Sequence, residues 1–198
     1  MTSYPYIIDL FKGVLVKSRA IEGRFYVSHR YGAQEINSDQ LGEVLTDLLK
    51  GKKYPLALMA PPNSTGYLQH DNAWEEYHII MFFVKTTYYD SFNMVSSPNL
   101  NTKTSMHTVP SDWHDMKRCA INFLRQLDKL QRTFPKPLFR VPKHFQFIYP
   151  VSIVGADRVS GVKLTFDMEL FVGCELEDYD EYLTELELAV DSHLEHKL

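Results

Sequence analysis

Six consecutive apolar residues, Ile79 to Val84, sit in the middle of the stretch EYHIIMFFVKTTYY. A strand turns successive side chains to opposite faces, so such a run presents apolar groups on both sides of the sheet that contains it. The chain must therefore cover two sheet faces, with helices of its own or with a partner subunit.

A second strand reads differently. Val162, Leu164, Phe166, Met168, Leu170 and Val172 alternate with Lys163, Thr165, Asp167 and Glu169. That period-two pattern is a strand with one face buried and the other facing water. HFQFIYPVSIV, residues 144–154, is expected to pair with it as a hairpin across the turn-rich GADRVSG, where Asp157 and Arg158 make the turn.

An N-terminal helix, a long central helix packed on the sheet and a C-terminal helix are expected, with Gln34 to Lys53 as an extra one. Ile7, Leu10, Phe11, Val14 and Leu15 recur at helical spacing behind Pro5, predicting a helix from residue 5 to about 19 that stops near Gly23. A short strand, Arg24 to Arg30, follows. Asn37 or Ser38 then caps a second helix, whose Leu41, Val44, Leu45, Leu48 and Leu49 form one stripe and whose end carries Lys50, Gly51, Lys52 and Lys53. LALMAP reads as a strand and NSTG as a turn.

Ser111 is expected to cap a long central helix with Trp113, Met116, Ala120, Phe123, Leu124, Leu127 and Leu130 on its core side, ended by Pro135 and Pro137. DYDEYLTELELAVDSHLEHKL predicts a C-terminal helix. Between Ser91 and Ser111 about half the residues are Ser, Thr or Asn, and polar loops of that length are commonly functional. The expectation is one α+β domain over residues 1–198, its sheet mostly antiparallel and built from hairpins.

Composition excludes some classes. With 21 Lys and Arg against 25 Asp and Glu, the net charge of −4 opposes non-specific wrapping of a duplex. No apolar run reaches the length of a membrane span, and the N-terminus lacks the basic region and cleavage site of a signal peptide. A cytoplasmic protein without membrane contact is expected. Cys119 and Cys174 form neither a disulfide framework nor a CxxC motif, which fits a reducing compartment.

Catalytic signatures are sparse. No phosphate-binding glycine loop, HExxH or GxSxG occurs, so no cofactor or metal is expected. His193 and His196 flank Glu195 at the chain end, where a solvated tail is the simpler reading. A catalytic pocket would have to bring His70, His78, His107 or His114 to Cys119 or an acid. Cys119 lies beside a helical core stripe and reads as a small hydrophobe, whereas Cys174 lies among acids that dull a thiol.

Charge is distributed unevenly. Lys117, Arg118, Arg125, Lys129, Arg132, Lys136, Arg140 and Lys143 are accompanied only by Asp128. From Glu175 to Glu187 the balance reverses: Glu175, Glu177, Asp178, Asp180, Glu181, Glu185 and Glu187 occur with no base. Two solvated faces paired within one molecule would explain this. So would a basic face on one subunit meeting an acidic face on the next, a head-to-tail contact that closes into a ring when the rotation permits.

The order of elements resembles the tail terminator, or tail completion, proteins of long-tailed bacteriophages. The likeness is carried by the opening PYIIDLFKGVL, by KYPLALMAP leading through a polar loop into EEYHIIMFFVKTTYY, by INFLRQLDKL, and by the final hairpin ending DRVSGVKLTFDMELFV. It implies a non-enzymatic virion protein, assembled in the host cytoplasm, that forms a homo-oligomeric, hexameric ring capping the tail tube at the neck. Its partners would be tail-tube and neck proteins, with DNA at most passing through the lumen. Asn93, Asn99, Asn101 and Lys103 of the polar loop would touch those partners. Lys117, Arg118, Arg125, Lys129, Arg132 and Arg140 would meet Glu175, Glu177, Asp178, Asp180 and Glu181 between subunits. The extra helix Gln34 to Lys53, the long loop and the acidic C-terminus depart from the family pattern. They leave open a neck adaptor, the cap of an injection machine, or a cytoplasmic binding module outside phage.

Overall fold

The protein is described by a computed structural model over residues 3–28, 41, 44–45, 54–64, 74–87, 108–133, 138–142, 146–154 and 158–171. Its centre is a ladder of two long antiparallel strands, β4 (Trp74–Thr86) and β7 (Val159–Phe171), paired from Trp74 opposite Phe171 to Thr86 opposite Val159. Shorter strands flank this pair. On the β4 side lie β2 (Leu56–Met59), β3 (Asn63–Ser64) and, beyond β2, β1 (Phe25–Val27). On the β7 side lie β6 (Phe147–Val154) along one half and β5 (Phe139–Arg140) along the other.

The α+β class holds, but the sheet is mixed, which corrects the mostly antiparallel sheet expected. β1 runs parallel to β2, with Phe25 beside Ala57 and Val27 beside Met59. Parallel neighbours need a crossover, usually helical, and Leu41, Val44 and Leu45 between these strands are indeed helical. The order strand, helix, strand over this part of the sequence is what permits the parallel pairing, because a helix between the strands returns the chain to the same end of the sheet.

Two helices, α1 (Ser3–Val16) and α2 (Thr108–Thr133), are described, not the three expected. The C-terminal helix falls on residues outside those described. α1 ends at Val16, earlier than the expected residue 19. Beyond it Ile21 N–H donates to the Ser18 hydroxyl at 3.3 Å, a local turn that competes with the helix and drops Ile21 fully into the core. Glu22 and Gly23 then take left-handed φ of 53° and 73°, which turns the chain into β1. α2 starts at Thr108 rather than behind Ser111, and its Pro110 sits in the first turn, where a missing N–H costs no helical bond. Asn63 and Ser64, read as part of a turn, instead pair with His78 and Tyr77 of β4, and β4 itself begins at Trp74 rather than Glu76. Arg158, at φ 49°, makes the turn before β7 as expected, and its carbonyl accepts from Thr87 N–H at 2.8 Å.

Each half of the apolar run in β4 has its own cover. Tyr77, Ile79, Met81 and Phe83 join Val162, Leu164, Phe166, Met168 and Leu170 of β7 under α1 and α2. Four rings tie these elements together. Phe123 of α2 meets Phe11 of α1 edge-on at 5.1 Å, and it lies 5.9 Å from Phe83 and 6.2 Å from Phe166. On the other face Ile80, Phe82 and Val84 pack with Leu56, Leu58, Val159 and the helical residues Leu41, Val44 and Leu45. Both expectations about the strands thus hold in outline. The water-facing side of β7 is more covered than alternation implied, since Thr165 is buried between Ile80 of β4 and Phe147 of β6.

Gly161 is required where β4, β7 and β6 approach. A Cβ there would run into the carbonyl of Phe83 and the Val84 backbone, so only hydrogen fits without parting the ladder.

Candidate functional site

α2 is anchored at both ends, and this fixes what its outer face presents. Near its start Asp112 is buried and is held by three residues, Lys85, Thr87 and Ser160. Lys85 Nζ lies 2.7 Å from Asp112 Oδ1 and 2.9 Å from Asp115 Oδ2. Thr87 Oγ1 and Ser160 Oγ donate to Asp112 Oδ2 at 2.9 and 3.1 Å. The indole N–H of Trp113 donates to the Val151 carbonyl of β6 at 2.8 Å. At the far end Gln131 Oε1 accepts from Val141 N–H at 2.9 Å.

The network near Asp112 holds a hydroxyl, a lysine and a carboxylate, the types from which a nucleophilic site is built. Its geometry serves anchoring instead. Burial opposes the charge on Lys85, but hydrogen bonds and charge from Asp112 and Asp115 outweigh it and hold the ammonium above its ordinary value of 10.5. Such a lysine stays protonated and cannot accept a proton from Ser160, which is itself fully buried.

With its inner face in the core and its ends fixed, α2 turns Lys117, Arg118, Arg125, Lys129 and Arg132 to solvent, where all five are exposed. At about 100° per residue, Arg118, Arg125, Lys129 and Arg132 fall within one arc opposite Met116, Phe123 and Leu127, with Lys117 on its flank. Asp128 is already bound to Arg132, accepting at 3.1 Å from Nη2. Among the described residues Lys117, Arg118, Arg125 and Lys129 make no side-chain ion pair or hydrogen bond.

Arg140 does not belong to this group. It alternates with the buried Phe139 on β5 and so points to the opposite face of the sheet, where its guanidinium sits 4.0 Å from the Trp74 ring. The eight cations adjacent in sequence are therefore not one patch. Glu175, Glu177, Asp178, Asp180 and Glu181, and the loop residues Asn93, Asn99, Asn101 and Lys103, lie outside the described residues.

The proposed pocket of histidines and Cys119 is not assembled where it can be followed. His78 points to the face opposite α2 and lies 2.7 Å from Asp167, its cross-strand partner on β7, while His114 is exposed on α2. Cys119 packs on the core beneath α2, so the sheet separates it from His78. Burial and the Asp115 carboxylate hold its thiol above the ordinary 9.0, against the pull of Arg118 and Lys85. Among the described residues no group of three or more His, Cys, Asp or Glu could share a metal ion, and no helix is long and apolar enough to cross a membrane.

Sequence reading missed a second surface. On the half of the sheet beyond Ile80, Trp74, His78, Asp167 and Phe171 share one face, and the exposed, stacked pair Phe147 and Tyr149 stands on the same face along β6, level with Ile80 and Phe82. The alternation of Phe147 and Tyr149 was available as a signal. Their neighbours were not, because cross-strand partners depend on register.

The geometry defines an α+β domain with a mixed sheet and an exposed basic helix face. No protein-family model and no curated protein matches the chain.

Proposed function

We propose that the chain is a non-enzymatic virion structural protein, a ring-forming tail terminator subunit that caps a phage tail tube and joins it to the neck. The ring is hexameric, and DNA at most passes through its lumen. One observation carries this reading: a helix anchored at both ends turns Lys117, Arg118, Arg125 and Lys129 to solvent with no partner among the described residues, on a chain that elsewhere carries a run of acids. Complementary faces on one subunit join head to tail and close into a ring. Their separation on different elements suits contact between copies. The order of elements, with a sheet clad by α1 and α2 on one face, adds to the resemblance to the tail terminator family.

Negative-stain electron microscopy of the purified protein, alone and mixed with tail tubes, tests the proposal. Six-fold rings are the expected result. A strict monomer by light scattering at every concentration, together with no binding to tail tubes, overturns it.

A further inference from the structure

We infer that the solvent face of α2 is a docking site for an acidic peptide, and that the peptide is the Glu175–Glu187 run of a second copy of this chain. This rests on the reading that copies of the chain meet head to tail, and names the two surfaces that do so.

The face has the shape of a linear anion receptor. Arg118, Arg125 and Arg132 are spaced seven residues apart, close to two helical turns, so they fall nearly in line and span about 21 Å at 1.5 Å per residue. Lys129 lies between the last two. Among the described residues the acids on this helix already have partners, Asp112 and Asp115 in Lys85 and Asp128 in Arg132. Anchoring through Asp112 at one end and Gln131 at the other fixes the helix before any partner arrives, which lowers the ordering cost of binding.

The occupant is chosen by charge. Glu175 to Glu187 carries seven acids and no base. An arginine fork holds a carboxylate through two parallel hydrogen bonds, which gives such a contact geometry as well as attraction. Duplex nucleic acid fits less well. The chain is −4 overall, and the same acidic run that complements the helix repels phosphate.

Zero-length carbodiimide cross-linking of a mixture of unlabelled and 15N-labelled full-length protein is the direct test. Cross-links from Lys117 or Lys129 to the Glu175–Glu187 peptide should appear with mixed isotopes. Sedimentation of variants gives the energetic counterpart. Arg118→Glu, Arg125→Glu and Arg132→Glu together should raise the dissociation constant of self-association by about 100-fold or more. The reciprocal Glu177→Arg, Asp180→Arg and Glu181→Arg should do the same, and combining both sets should restore association. Far-UV circular dichroism checks that the surface variants keep their fold.

Several results would overturn the inference. Cross-links of one isotope only would place the pairing within a single copy. Loss of association in both variants without recovery in the combined one would separate the two segments. Wild-type rings that tolerate the arginine reversal would remove this contact while leaving the ring itself standing. A wild-type chain that neither assembles nor cross-links would remove both. Duplex DNA bound by the wild type and lost on arginine reversal, without mixed-isotope cross-links, would make nucleic acid the occupant.

Discussion

The two faces of the central sheet are built from the same two strands and differ in how far their apolar cover extends. Under α1 and α2 the inward residues of β4 and β7 are apolar from Tyr77 to Phe83 and from Val162 to Leu170, and all are buried. On the opposite face apolar packing reaches from Val84 to Ile80 and then gives way to His78 and Asp167. A face closed along its whole length stores stability. One closed along half its length leaves the remainder to meet something else, and Trp74 and Phe171 stand there edge to face beside the His78–Asp167 contact.

Substitution should grade these regions. The largest loss is expected for Phe166→Ala, which opens a cavity beneath the Phe11 and Phe123 rings and should cost about 3–5 kcal/mol in urea unfolding. Leu45→Ala on the second face should cost about 2–4 kcal/mol by the same measurement. A cost below that of a surface substitution would show that helical cover on this face contributes nothing, and the comparison would fail.

Asp112→Ala should follow, at about 1–3 kcal/mol, because it strips the acceptor from Thr87 and Ser160 and leaves Lys85 with Asp115 alone. The same network predicts a pH dependence. The folded-state pKa of Lys85 is raised above its ordinary 10.5, so its contribution is fully present below that value and is lost as pH rises through the folded pKa. The difference in unfolding free energy between wild type and Lys85→Met should therefore be constant near neutrality and shrink in alkaline solution above 10.5. A difference that persists unchanged there would mean that the ammonium does not tie α2 to β4.

The smallest effect belongs to the open half-face. His78 and Asp167 are each partly exposed, and even a charged pair at such a site is worth only about 0–1 kcal/mol, so His78→Ala should leave the unfolding midpoint almost unmoved. A loss comparable to that of Leu45→Ala would show this half to be as structural as the other.

The core of this architecture was largely legible in the residues. Periodicity alone identified the stripe of α2, the two-sided burial of β4 and the one-sided pattern of β7, because burial writes itself into spacing. Short elements were not legible: β3 and β5 have two residues each and exist only through pairing with longer strands. Boundaries also slipped, at Val16 and at Thr108, where a local turn or a tolerated proline decided the end. The candidate site was half legible. Sequence gathered the cations of the central helix into one basic segment that also included Arg140, and only the alternation of β5 about Phe139 sends that side chain to the far face.

By itself, then, the sequence determined which segments must be buried and where opposite charges accumulate, since hydropathy and charge are properties of residues in order. Tertiary structure decided which strands are neighbours, that β1 and β2 run parallel, that Lys85 and Asp112 meet across distant segments, and which cations share a surface. Those relations are set by register and by the side of the sheet on which each connection crosses, and neither is written in any local stretch of chain.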